Sequence, residues 1–316
     1  MIKKQTTLIL GAGASAPFEF PTGYELLRQI IEKITPHNLA PNYAVLDHAN
    51  LLRQLGYDVA LISKFREALL KSGQTSVDAF LEYRPQFIPI GKAVMAIALI
   101  QCEHEQRLFK RDGKSWYEYL FNQLSAQFED FGKNRLSILT FNYDRSLEHF
   151  LFTALKNSYG KSEDECSGKL QTIPIIHLHG DLGALPYTGA VLARPYNSNI
   201  SPEVLNIATK RIKIIHEGVE HGQQFELAHK FLFESEVVCF LGFGYHALNM
   251  ERLGIKNGMS GSLKGKQVIG SSFGLTNAQS SQMYGRYGFQ LRPGRFEYQN
   301  WNVLQFLRES GVLNDG

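Results

Sequence analysis

The sequence predicts an α/β fold: an open, mostly parallel sheet with helices on both faces, plus a helical insertion. Three observations predict it. Short apolar runs recur along the chain, each ending in glycine or polar residues, as buried parallel strands do. Helical stretches separate most of these runs, the pattern of strand–helix–strand crossovers. The first run passes directly into a turn in which Gly11, Gly13 and Ala16 fit G-x-G-x-x-[GA], a Rossmann-like fingerprint. Residues 1–316 are read as a single domain of this type, with the insertion at about 37–132.

Thr7-Leu8-Ile9-Leu10 is the first strand. Pro17 disfavours a helical Ala16, so the helix cannot run straight on from the glycines and Pro17 to Pro21 forms a loop. Its Phe18 and Phe20 either cover a ligand or pack on the core. The helix in "PTGYELLRQIIEKI" starts from a capping box, with Thr22 as N-cap and Glu25 reaching back. A dinucleotide dehydrogenase needs an acid at the end of a second strand about 20 residues on. Glu32 stands near that distance but inside the capped helix, so the turn reads as nucleotide-binding without hydride transfer.

The insertion carries three stretches with apolar residues at three- and four-residue spacing: "LLRQLGYDVALISKFREALLK", "IGKAVMAIALIQCEHEQRLF" and "WYEYLFNQLSAQFEDF". Strands resume at "RLSILTFN", "TIPIIHLHG", "EVVCFLGFG" and "KQVIGSSFG", with the helix "HGQQFELAHKFLFE" among the segments between them. In such sheets ligands lie outside the carboxyl ends of the strands, and the chemically interesting residues fall there.

Bulk properties exclude several classes. A net charge of +3 gives no reason to expect a nucleic-acid surface, and Lys210-Arg211-Ile212-Lys213 reads as a solvated helix face. Cys102, Cys166 and Cys239 include no CxxC pair, which argues against a disulfide framework and a four-cysteine zinc site. No apolar run reaches about 18 residues and no signal-peptide pattern opens the chain, so a cytoplasmic protein away from membranes is expected.

At the strand ends, Asp144 is a natural N-cap for "RSLEHFLFTAL". Asn142 has no such structural use, and its amide can hydrogen-bond ribose hydroxyls or hold a water. His177 and His179 lie two apart, on one face of a strand. They lack the further ligands of a metal site, and His179, next to Gly180, fits a general base near its ordinary pKa of about 6.5. "FLGFGYH" and "IGSSFG" are further glycine turns suited to close backbone approach.

Taken in order, GAGAS (Gly11 to Ser15), TFNYD (Thr140 to Asp144), HLHG (His177 to Gly180) and FLGFG (Phe240 to Gly244) resemble the sirtuin-like (SIR2-like) superfamily. The resemblance implies that Gly11, Ala12, Gly13, Ala14 and Ser15 bind the pyrophosphate of NAD+. It places Asn142 by the nicotinamide ribose, Asp144 on the carboxamide, and His179 as base on a ribose hydroxyl or water. Thr140, Gly242, Phe243, Gly244 and Ser271, at the other strand ends, complete the candidate contacts.

Two departures choose the branch. Sirtuin deacylases carry a zinc ribbon of two cysteine pairs after the histidine, whereas "GDLGALPYTGAVLARPYNSN" holds no cysteine. The helical block is also foreign to a compact deacylase. Both features are similar to NAD-consuming effectors of bacterial anti-phage defence. That resemblance implies hydrolysis of NAD+ to nicotinamide and ADP-ribose, no zinc, a homo-oligomer, and a separate partner such as a HerA-type ATPase or other sensor. The alternatives are an NAD- or ADP-ribose-binding regulatory module without turnover and, further off, a protein deacylase.

Overall fold

The computed structural model describes residues 1–35, 48–214, 222–255, 263–272, 275–287 and 301–314. The chain begins with β1 (Thr6–Leu10), α1 (Gly23–Lys33), α2 (His48–Gln54), α3 (Val59–Leu70), α4 (Val77–Tyr83), α5 (Ile88–Ile100), α6 (Glu105–Leu108) and α7 (Trp116–Gln123). Then come β2 (Leu136–Thr140), α8 (Ser146–Tyr159), α9 (Glu163–Leu170), β3 (Ile175–His177), α10 (Pro202–Arg211) and α11 (Gln223–Glu234). β4 (Val237–Leu241), α12 (Ala247–Arg252), β5 (Gln267–Gly270), α13 (Asn277–Tyr287) and α14 (Val303–Ser310) follow among the described residues.

The five strands form one parallel sheet in the order β3-β2-β1-β4-β5, a Rossmann-like α/β fold. Leu8 of β1 stands in register with Ile138 of β2 on one side and Cys239 of β4 on the other. β1, β2 and β4 are buried along their whole length, which is why each reads as an unbroken apolar run. Alternation still sorts their side chains. Leu8, Leu10, Ile138, Cys239 and Ile269 join one apolar cluster with residues of α1, α5, α7 and α8. Ile9, Leu139, Val238, Phe240 and Val268 join the other, with Phe225 and Leu232 of α11 and Met250 of α12.

Within the described part of the inserted block, α2 to α7 are helices and no strand occurs. Residues 36–47, where the block was expected to begin, lie outside the described residues. All three periodic stretches break despite their continuous apolar spacing, the third between α7, which ends at Gln123, and a 3-10 turn over Phe128–Lys133. The first turns at Gly56, at φ +90°, and α3 restarts on Asp58, whose carboxylate accepts from the Leu61 amide at 2.7 Å. The second ends α5 at Ile100 before α6 begins at Glu105. α5 is buried on every side instead of along one stripe, packed against α10, α2, α1 and α4. Gly91 permits this, because a Cβ there would meet Leu81 Cδ1 at 2.6 Å.

The first turn coils into two 3-10 turns, Ala12–Ala14 and Ala16–Phe18, before α1 starts at Gly23. Ala16 is thus drawn into a turn rather than an extended segment. The capping box is present, with Glu25 Oε2 accepting from the Thr22 amide at 2.8 Å. Phe18 and Phe20 are both buried, and Phe18 stacks on Tyr117 with ring centroids 3.8 Å apart. β3 is shorter than "TIPIIHLHG" suggests: it stops at His177, and Gly180 turns the chain at φ +73°. His177 and His179 therefore do not share a strand face. The basic cluster is also not a free helix face. α10 ends at Arg211, which pairs with Asp181 at 2.5 Å, and Ile212 is fully buried. No helix among the described residues is long and apolar enough to cross a membrane.

Candidate functional site

From β1 the strand order runs one way to β2 and β3 and the other way to β4 and β5, so a crevice opens between the carboxyl ends of β1 and β4. The glycines there first serve packing. A Cβ on Gly11 would lie 2.6 Å from the Gly242 carbonyl oxygen, and one on Gly242, at φ +56°, would lie 2.0 Å from the Ala14 amide nitrogen. The two turns are therefore in backbone contact. Their amides are largely used in that contact: Gly11 donates to Leu241 O, Gly13 to Gly242 O, Ala14 to Gly11 O and Ser15 to Ala12 O. The Gly242 amide donates to Ser271 Oγ at 2.8 Å. Ala12, Ala16, Phe243 and Gly244 are the turn residues whose amides have no acceptor among the described residues. The expected cradle of Gly11 to Ser15 amides is thus reduced to Ala12, with Phe243 and Gly244 facing it across the crevice.

Asn142 is fixed from three sides. Its amide nitrogen atom Nδ2 donates to Gly11 O and to Ser15 Oγ, both at 3.0 Å, and its backbone N–H donates to Thr140 Oγ1 at 3.0 Å. Both Nδ2 hydrogens are engaged, so Oδ1 is the group left to offer to the cleft. Asp144 lies behind this wall. Its carboxylate accepts from Ser15 Oγ at 2.7 Å, from the Ser146 amide at 3.2 Å and from Ser146 Oγ. It caps the start of α8 from one residue outside the cap position, which Arg145 occupies. Burial raises the Asp144 pKa against these hydrogen bonds.

His177 backs Asn142 from the other side. Its Nδ1 lies 2.8 Å from Asn142 O, and its Nε2 pairs with Glu148. Burial opposes a charge on this ring, but the Glu148 carboxylate, helped by Asp181, raises its pKa to about 9. Both ring nitrogens then donate. His179 has the opposite character. It packs beside the Phe141 and Tyr143 rings, and its Nε2 is buried with no partner. Burial, with the Arg252 charge in support, lowers its pKa to about 3 instead of leaving it near 6.5. The ring is neutral at working pH, and its Nε2 can accept a hydrogen bond.

These residues meet at a cleft of about 1060 Å³, just above the ~300–1,000 Å³ common for small-molecule sites. Asn142, His179, Gly11, Ala12, Gly13, Gly242, Phe243, Gly244 and Ser271 line it. Asp144, Thr140, Ala14 and Ser15 do not: Asp144, Thr140 and Ser15 hold Asn142 and the turn from behind, and Ala14 O accepts from Trp116 Nε1 at 2.7 Å. The insertion supplies walls that motif reading missed, among them Asp78 and Glu82 of α4 and the cations Arg107, Lys110 and Lys114. Arg252, at the end of α12, lines it too and donates from Nη2 to Glu82 Oε1 at 3.0 Å. The i, i+4 acids in "SVDAFLEY" and the arginine eight residues after Gly244 were the available signals.

A buried ionic node ties the insertion to this region. Glu103, fully buried, receives two guanidinium groups: Arg145 Nη2 at 2.9 Å and Arg194 Nη1 at 2.7 Å. Arg145 Nη1 also donates to Gly183 O at 2.8 Å, and Arg194 Nε to Leu182 O at 2.5 Å. Among the described residues, no group of three or more His, Cys, Asp and Glu side chains could hold a metal ion. No family model matches the chain, and no curated protein matches it.

Proposed function

We propose that this protein is an NAD+ glycohydrolase that cleaves the dinucleotide to nicotinamide and ADP-ribose. One observation carries the reading: Asn142 and His179 line one cleft at the switch point of the sheet, and Asn142 Oδ1 and the buried His179 Nε2, two groups able to accept a hydrogen bond, have no partner among the described residues. The residue pattern that resembles the sirtuin-like superfamily supports the same substrate.

The nicotinamide–ribose bond is already activated, because a cationic pyridinium leaves as a neutral ring. The protein must orient the ribose, admit one water as the nucleophile that bonds the anomeric carbon as nicotinamide leaves, and receive the proton that water gives up. Asn142 Oδ1 accepts from the ribose or the attacking water, and its fixed nitrogen gives that acceptor one direction. His179 Nε2 takes the proton. A base with so low a pKa suffices, because water adding to an oxocarbenium-like carbon becomes a far stronger acid than imidazolium. Asp144 is a positioning residue that holds Ser15 and thereby the Asn142 amide. The Ala12, Phe243 and Gly244 amides, with Arg107, Lys110 and Lys114, provide for the phosphates. As in the effectors it resembles, the proposed role is depletion of NAD+ in an infected bacterial cell, by a cytoplasmic homo-oligomer with a separate sensor or ATPase partner.

Chromatography of NAD+ incubated with the protein tests this. Wild type releases nicotinamide and ADP-ribose; Asn142→Ala and His179→Ala each lower kcat by about 10²- to 10⁴-fold with melting temperature retained. Unchanged turnover in both variants removes the assignment. The depressed basicity of His179 also favours a second reading, a regulatory module that binds NAD+ or ADP-ribose. It predicts ligand-induced stabilisation with no nicotinamide released.

A further inference from the structure

Asp78, Glu82 and Arg252 line the cleft but belong to none of the strand-end motifs and have no part in the proposed hydrolysis. Tyr143 packs beside His179, with ring centroids 6.2 Å apart, and donates its hydroxyl to Asp78 Oδ1. Asp78 and Glu82 sit four residues apart on α4, and Glu82 holds Arg252 Nη2 at 3.0 Å. Arg252 is 94% buried as a side chain, since only 6% is exposed, and its Nε is buried with no partner. His179, Asp78, Glu82 and Arg252 line the same cleft, and Tyr143, outside the lining, joins His179 to Asp78 from behind.

A buried guanidinium N–H without an acceptor carries an uncompensated desolvation cost. If Arg252 served only to tie α12 to α4, its Nε would find a carbonyl, as Arg194 Nε finds Leu182 O. The charges on this wall also restrict what fits. Two acids face one guanidinium, so a ligand carboxylate would compete with Glu82 for Arg252 and be repelled by Asp78. A primary carboxamide matches both sides: its oxygen accepts from Arg252 Nε–H, and its N–H₂ donates to the Asp78 carboxyl.

We propose that Arg252 and Asp78 form a carboxamide-recognition subsite beside His179, and that Glu82 sets its preference for the neutral amide over the corresponding acid. This rests on the glycohydrolase reading, because it places the nicotinamide ring next to the ribose on which Asn142 and His179 act. Recognition of the leaving group is thereby assigned to the inserted helix α4 and to α12, while Asp144 stays behind the wall. The insertion is then part of the substrate site, and the amide/acid choice is made by a charge balance of three side chains.

The probes are NAD+ and its nicotinic-acid analogue, with affinity read by calorimetry and cleavage by chromatography on the same full-length protein. Wild type is expected to favour NAD+ over the acid analogue by at least tenfold. Arg252→Gln should weaken NAD+ binding about tenfold or more at a temperature where the variant is still folded. Glu82→Gln, which frees the guanidinium for an anion, should narrow or invert the preference; it serves as the informative variant should Arg252→Gln fold poorly. If wild type binds NAD+ but takes the acid analogue equally well, or Arg252→Gln and Glu82→Gln both bind as wild type does, the subsite is overturned and the glycohydrolase reading stands. If wild type binds neither dinucleotide, both fall together.

Discussion

Asn142 and His177 show how a polar residue at a strand end becomes fixed. The Asn142 nitrogen faces a carbonyl and a hydroxyl, so Asn142→Asp would set a carboxylate oxygen against Gly11 O. We expect that substitution to lower stability by about 1–3 kcal/mol as well as to abolish turnover, and urea unfolding checks the first part. The charged His177 behind it makes a pH prediction. Its pKa in the folded protein is raised from 6.5 to about 9, so its contribution to stability is complete below about pH 6.5 and is lost as pH rises through about 9. Unfolding free energy should therefore fall between pH 7 and 9.5, and Glu148→Gln should flatten that fall. An equal fall in the variant would show that the pair does not carry it. His48 and His179 work at the other limit: burial holds both near pKa 3, so each withdraws stability as pH drops from about 6.5 towards 3.

At the scale of elements, the two glycine turns behave as one unit. Gly242 has a positive φ, and a Cβ on it would collide with Ala14 N at 2.0 Å, whereas Gly265, at φ +77°, has nothing within 4 Å of its missing Cβ. Gly265→Ala should cost only the strain of the left-handed backbone, about 1 kcal/mol. Gly242→Ala should cost several times that and open the crevice, as thermal unfolding of the pair would show. This contrast also marks what the sequence could disclose. β1, β2 and β4 were legible because strands buried on both faces are apolar throughout, and the Thr22–Glu25 box was legible because capping is local. The purpose of Gly11 and Gly242 was not, since a glycine needed for a neighbouring backbone looks the same as one needed for a ligand. The breaks at Gly56 and after Ile100 were hidden by apolar spacing that continues across them. The His177–His179 relation was misread because β3 ends one residue before the chain begins to turn.

Across the whole molecule, the inserted helices and the sheet share one apolar cluster and one ionic node, so the insertion is held to the site by more than its two chain connections. Glu103 meets Arg145 across 42 residues and Arg194 across 91, separations at which single-sequence patterning carries no signal. The same distance in sequence kept Arg252 and Glu82, 170 residues apart, out of the motif reading, although both line the cleft. Glu103→Gln leaves two buried guanidiniums without their counter-charge, and we expect a loss of about 3–5 kcal/mol in urea unfolding, with the cleft loosened at the same time. A loss under 1 kcal/mol would mean the surrounding carbonyls suffice to hold both arginines.

On the proposed reading, this cleft breaks the nicotinamide–ribose bond. Proton NMR of NAD+ mixed with the protein follows that bond directly, because free nicotinamide, NADH and intact NAD+ give separate signals. Free nicotinamide is expected to grow with wild type and not with Asn142→Ala. Intact NAD+ at a protein concentration that saturates binding would contradict it, leaving a site that holds the dinucleotide without cutting it.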